Sequence, residues 1–198
     1  MKIFKVTVIV IAVIFIILLL VLSRYGLFAS VSVSEKVVGP YLLIYKKHIG
    51  DYKNVGSVMD EMYSDLKNNY SMETTKGFGL YYDDPRQVDK AQLRSIIGCI
   101  VEGKTREDLS KVSSKYDVRE YPSSKSVVAE FPYKGKISIF IGIMKVYPAL
   151  GTYIKEHQYN RTPIMELYDM PNERIEYISS MSLPKEIFDD FLKSKEKN

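Results

Sequence analysis

The chain has no tryptophan, a single cysteine at 99, and two histidines, His48 and His157, among its 198 residues. One cysteine excludes a disulfide framework and a paired-cysteine zinc or redox site, and two histidines leave little for an imidazole metal cluster. No cofactor or metal is expected. Eight prolines and eleven glycines are too few for a low-complexity chain. Charge of one sign is scarce as well. Of the 28 Lys and Arg, Lys2 and Lys5 fall in the first twenty-two residues, which hold no acid, and the remaining 26 face 24 Asp and Glu. That balance excludes nucleic-acid binding by bulk charge. No Gly-x-Ser-x-Gly, P-loop or His-Glu-x-x-His motif occurs, so no catalytic machinery announces itself. What the chain does have is apolar surface, 46% of its residues, and sixteen tyrosines. A tyrosine joins a flat apolar face to a polar tip, which suits the wall of a half-wet groove as well as a core.

Val6 to Leu22 is an apolar run interrupted only by Thr7. As a helix at about 1.5 Å per residue it spans roughly 25 Å, just long enough to cross a bilayer. A cleaved signal peptide has a shorter apolar region, usually about 7 to 15 residues. No small-x-small site follows in Ser23-Arg24-Tyr25-Gly26-Leu27-Phe28, so residues 1–29 read as an uncleaved anchor. Lys2, Lys5 and the terminal amine precede the span, against Arg24 and then Lys36 after it. The bias favours a cytoplasmic N-terminus and an extracytoplasmic domain, as on a bacterial inner membrane.

Residues 30–39 read as a polar linker, and from 40 to 183 the chain passes twice through one order of elements. The first pass, about 40–102, is a strand over Tyr41 to His48, a helix capped by Asp51 with the stripe Tyr52, Val55, Met59, Met62, Tyr63, Leu66 and Tyr70, then strands Gly77 to Tyr82 and Arg94 to Val101. The second, about 125–182, is a strand Ser126 to Tyr133, a helix Lys136 to His157 kinked or restarted at Pro148, and strands Pro163 to Tyr168 and Arg174 to Met181. Gly50 matches Gly135 at an offset of 85, and Leu80-Tyr81-Tyr82-Asp83-Asp84-Pro85 matches Glu166-Leu167-Tyr168-Asp169-Met170-Pro171 at 86. The expected fold class is α+β, a mostly antiparallel sheet built from two strand-helix-strand-strand repeats behind a transmembrane helix, with helices on one face and a groove on the other. Lys104 to Tyr121 is a connector with a short helix and strand. Residues 184–198 form a short amphipathic tail that frays at its lysine-rich end.

In Ile164-Met165-Glu166-Leu167-Tyr168, alternation puts Met165 and Leu167 on one face, expected to meet the helices, and Ile164, Glu166 and Tyr168 on the other. Taken at the 86-residue offset, the matching positions of the first repeat are Phe78, Leu80 and Tyr82. Glu166 is then a lone carboxylate on a tyrosine-lined surface completed by Tyr177. Desolvated without a fixed cation it is costly, and a flat cationic ligand relieves it, aided by cation-π contacts of about 0.5 to 2 kcal/mol. The plain alternative pairs Glu166 with Arg174 across a solvated face. Cys99, in an apolar strand, reads as an inert core thiol, the histidines as surface residues, and Asp83-Asp84 before Pro85 as turn formers.

The duplicated units, closed by Glu166-Leu167-Tyr168 and Pro171, resemble the GyrI-like small-molecule-binding family of gyrase inhibitors and multidrug-responsive effector domains. Phe131-Pro132-Tyr133, Ser138-Ile139, Pro148-Ala149-Leu150, Thr152-Tyr153-Ile154-Lys155-Glu156 and Tyr81-Tyr82-Asp83-Asp84-Pro85 are similar to its membrane-anchored, testis-expressed branch in animals, which serves as receptors for autophagy of the endoplasmic reticulum. The resemblance implies a groove on a pseudo-twofold axis that takes amphipathic, often cationic compounds beside a buried acid, here Glu166. The leading expectation is therefore an anchored, non-enzymatic binding module. Two alternatives stand beside it: an adaptor in the endoplasmic reticulum membrane with a cytosolic domain, and a hydrolase of reactive small molecules. The aromatic-x-x-aliphatic stretches an adaptor needs, Tyr63-Ser-Asp-Leu66 and Tyr147-Pro-Ala-Leu150, fall in expected helices, and no long tail follows residue 182.

Overall fold

The computed structural model describes residues 2–193. Helix α1, Lys2–Arg24, is the apolar N-terminal segment. It contains an 18-residue window of mean hydropathy 3.4, none of it buried. Strand β1, Ser32–Val38, follows where a linker was expected, and it pairs antiparallel with β6 along its whole length. Most of the 30–39 stretch, Ser32–Val38, is therefore an edge strand and not a tether. Alternating Val33, Glu35 and Val37 with Ser and Lys is a strand pattern that a polar, small-residue composition conceals.

The first repeat runs β2 (Tyr41–Ile49), α2 (Val55–Tyr70), β3 (Lys76–Tyr81) and β4 (Arg94–Val101). Asp51 caps as expected, accepting from the Lys53 amide at 3.1 Å over a single 3-10 turn that leads into α2. The connector carries two 3-10 turns and β5, Asp117–Tyr121. The second repeat is β6 (Ser124–Pro132), α3 (Lys136–Glu156), β7 (Ile164–Asp169) and β8 (Arg174–Ser180). Pro148 neither stops nor restarts α3. Its ring removes the donor for the Met144 carbonyl, but Met144 lies on the exposed side, where water is free to replace it. The tail forms α4, Lys185–Leu192, and the lysine-rich end expected to fray lies, from 194 on, outside the described residues.

The eight strands make one antiparallel sheet in the order β1-β6-β8-β7-β3-β4-β2-β5. The triplet β6-β8-β7 is answered by β2-β4-β3, so the repeats meet at the β7–β3 pair about a pseudo-twofold axis. Cross-strand partners share a face, so the register traces one row through Ile44, Cys99, Gly77, Tyr168, Ile175 and Phe131. That face carries both long helices: Met62 and Leu66 of α2 pack with Ile44 and Cys99, and Ile141, Val146, Leu150 and Ile154 of α3 pack with Phe131, Tyr168 and Ile175. The opposite face, with Tyr45, Phe78, Leu80, Met165, Leu167 and Ile178, is covered by Phe188 and Phe191 of α4. The sheet is thus clothed on both sides, and the open groove expected opposite the helices is filled by the tail.

Candidate functional site

Glu166 lies on the helix-covered face, the reverse of the expectation, and is 2% exposed. One of its oxygens accepts from the Tyr168 hydroxyl at 2.6 Å and the other from the Tyr147 hydroxyl at 2.7 Å. Tyr168 reaches it because residues i and i+2 of a strand share a face. Tyr147 reaches it from α3 above. No lysine, arginine or histidine pairs with Glu166 among the described residues. Burial pushes its carboxyl above the ordinary range, opposed by the hydrogen bonds from Tyr168 and Tyr147. The solvated pair with Arg174 does not form: Arg174 stands on the other face, 2.7 Å from Glu176.

Two more tyrosines close the cage. Tyr177 is the register partner of Glu166 on β8, and its fully buried hydroxyl has no hydrogen-bond partner among the described residues. Its ring meets Tyr147 edge-on, with centroids 5.7 Å apart. A side chain at Gly142 of α3 would put a Cβ 2.5 Å from that hydroxyl, so a glycine is needed for the helix to pass over it. Gly79 is the partner of Glu166 on β3, and a Cβ there would lie 2.7 Å from the Tyr81 hydroxyl. The missing side chain lets the Tyr81 ring fold back beside the carboxylate. The hydroxyls of Tyr81, Tyr147 and Tyr168 are held well above their ordinary pKa, first by burial and next by the negative charge on Glu166. The result is an acid ringed by aromatic faces and neutral O–H donors, roofed by α3.

Of the residues expected at the site, Glu166, Tyr168 and Tyr177 come together, and Ile164 shares their face at the half-buried start of β7. Phe78, Leu80 and Tyr82 do not. They stand opposite Leu167 and Met165 or just beyond them, under α4, where the Tyr82 hydroxyl donates to the Phe188 carbonyl at 2.8 Å. The cause is the offset: 86 aligns Leu80 with Glu166, whereas the 85 that relates Gly50 to Gly135 aligns Tyr81 with it. A slip of one residue exchanges the faces of a strand. Tyr147 and Gly142 carried no local signal, because only packing of α3 on the sheet brings them over Glu166. Beside Tyr82 the other face holds a cleft of about 290 Å³ whose charged lining is Arg94, Arg161, Lys185 and Asp189, a poor place for a cation.

Cys99 is buried and its thiol is pushed up by burial. Asp83 holds Arg94 at 2.7 and 3.0 Å, Asp84 holds Arg86, and no group of His, Cys, Asp and Glu suited to a metal occurs among the described residues. The His48 Nε2 is buried without a partner among the described residues, while His157 stacks on Tyr153 at the surface. Leu66 and Leu150 of the two aromatic-x-x-aliphatic stretches are fully buried, so neither stretch is free to dock.

The chain is similar to known proteins in sequence and in fold. It is 30% identical over 151 residues to the testis-expressed protein 264 homolog of Mus musculus, covering 72% of this chain and 47% of that one. Testis-expressed protein 264 of Homo sapiens matches at the same identity and covers 46% of its own length. The chain thus spans about half the length of the curated relatives it matches. Among solved structures, SAV2435 bound to tetraphenylphosphonium superposes with a TM-score of 0.52 at 15% identity, over 76% of this chain and 94% of that one. The EcmrR C-terminal domain gives 0.53 at 11% identity, over 76% and 96%. Residues 32–183, the sheet with both of its long helices, match the profile of the GyrI-like small molecule binding domain, and the chain belongs to that family.

Proposed function

We propose that this protein is a membrane-anchored binding module that takes an amphipathic organic cation against Glu166. One observation carries the reading: a carboxylate 2% exposed whose only hydrogen-bond partners among the described residues are the neutral hydroxyls of Tyr147 and Tyr168. An ionised acid held this way is under-compensated, and a delocalised cation between aromatic rings supplies the missing charge without demanding hydrogen bonds. The unpartnered Tyr177 hydroxyl marks a second unmet polar group in the same cage. The tetraphenylphosphonium bound to SAV2435, a protein of the same fold, supports the class of ligand and provides a probe. The cage is closed, so entry requires the α3 side, where Tyr81 and Tyr147 are only half-buried, to give way.

In the same reading α1 crosses the bilayer once, N-terminus in the cytoplasm, with the domain on the far side; its length, hydropathy and exposure support the span and Lys2 and Lys5 the direction. Titration of tetraphenylphosphonium into the detergent-solubilised full chain tests the binding role: saturable binding weakened by Glu166→Gln supports it, and binding indifferent to that substitution refutes it.

A further inference from the structure

We infer that the outer face of α3 lies in the headgroup region of the same bilayer that α1 crosses, so that the roof of the Glu166 cage is a membrane-contacting element. This rests on the reading of α1 as a span. α3 buries Ser138, Ile141, Gly142, Val146 and Leu150 against the sheet. The opposite side of its first three turns carries Ile137, Phe140, Ile143 and Met144, which are 42, 66, 42 and 63% exposed. Helical spacing of three and four residues makes these a single stripe. Elsewhere on the domain large exposed apolar residues, such as Val37, Ile49 and Met170, stand singly. A contiguous exposed apolar face of this kind marks a contact surface.

The junction with α1 identifies the contact. Leu22 and Tyr25 pack into the same core cluster as α3. Gly26, at φ 96° and pressed against the Phe131 ring, turns the chain across the sheet end. The Lys145 ammonium then donates to the carbonyls of Leu27, at 2.8 Å, and Ala29. Leu27 is three residues beyond the last residue of α1, a reach of at most about 11 Å. The headgroup region is on the order of 5 to 8 Å deep on each side of the hydrocarbon. Lys145, in the middle of α3, is therefore hydrogen-bonded to a carbonyl no more than about 11 Å along the chain from the end of α1, a distance comparable to the depth of the headgroup region. In the segment that joins α1 to the sheet Phe28 is 69% exposed, and Arg24 at the end of α1 and Lys136 at the start of α3 are exposed cations, as suits chain lying at an interface. An amphipathic cation concentrates in that same layer, next to Tyr147.

The absence of tryptophan makes the test direct. Full-length protein carrying Phe140→Trp, or Met144→Trp as a second position, is reconstituted in vesicles with and without acyl-brominated phospholipid. Phe15→Trp in α1 reports the span and Ile49→Trp, on the far side of the sheet, reports bulk solvent. The inference expects emission from positions 140 and 144 to be blue-shifted and largely lost to brominated lipid, as at position 15, while position 49 is unaffected. Loss at 15 without loss at 140 and 144 leaves the span standing and overturns the inference. No loss at 15 refutes the span and the inference with it. Emission at 140 that is blue-shifted but untouched by brominated lipid means that protein, such as a second copy, covers the stripe, and also overturns the inference.

Discussion

Replacing Glu166 with Gln separates the role of its charge from that of its shape. Gln nearly preserves the volume, and its carbonyl and amide can still meet the hydroxyls of Tyr147 and Tyr168, so the cage should keep its packing. What is lost is the net negative charge in a site that is 2% exposed. A charge-assisted contact made there is worth about 1 to 3 kcal/mol, which is roughly 5- to 150-fold in dissociation constant. Tetraphenylphosphonium should lose affinity by that factor, whereas a neutral tetraphenyl compound of the same shape should change little. Stability should hold or rise at neutral pH, because the substitution removes a desolvated charge. Isothermal titration of the matched pair against both proteins, with thermal unfolding as the folding check, measures all three effects. Equal losses for the two ligands, or none for either, would refute the assignment of Glu166 as the residue that recognises the cation.

The pH dependence follows from the raised carboxyl of Glu166. The folded state keeps its proton to a higher pH than the unfolded chain does. This group's contribution to stability is therefore whole below the unfolded value of about 4.3 and is lost as pH rises through the folded value. Cation affinity should run the opposite way, rising over the same interval with release of a proton, and titration in buffers of different ionisation enthalpy will register that release. Tyr147→Phe removes one of the two donors that hold the carboxyl down, so it should move this pH interval further upward while leaving the fold intact, as read from the affinity profile. Gly142→Ala forces a methyl onto the Tyr177 hydroxyl and should cost about 1 to 3 kcal/mol of stability by overpacking, measured by denaturant unfolding. Phe188→Ala, at a side chain 1% exposed under the sheet, should cost about 3 to 5 kcal/mol, and the same assay checks it.

Much of this fold was legible because period and punctuation agree along the chain. Asp51, Gly135, the apolar runs of β2 and β4 and the partly alternating run of β8 each carry their own local signal, and those elements stand within a residue or two of where the pattern puts them. Glu166 was legible for the same reason, as an acid between the apolar residues Met165 and Leu167 with a tyrosine two positions on. The faces were not. Alternation divides a strand into two sides without saying which one a helix covers, and in β7 both sides are buried, so Met165 and Glu166 look alike in that respect. The choice between offsets of 85 and 86 then decided whether Tyr81 or Leu80 joined the site. Tyr147, Gly142 and the occupation of the opposite face by α4 depend on contacts between segments distant in sequence, which no local period encodes. β1 was hidden because an edge strand has only one paired side and tolerates a polar composition.

The central claim is one of place: a cation belongs on the helix-covered face, against Glu166 and among Tyr81, Tyr147, Tyr168 and Tyr177. A crystal structure of the protein with tetraphenylphosphonium tests it most directly. The account predicts the phosphonium between β7 and α3, its rings against those tyrosines and α3 or the Tyr147 side chain displaced to admit it. Density instead in the cleft beside Tyr82, Arg94 and Lys185, with Glu166 still sealed by Tyr147 and Tyr168, would contradict it.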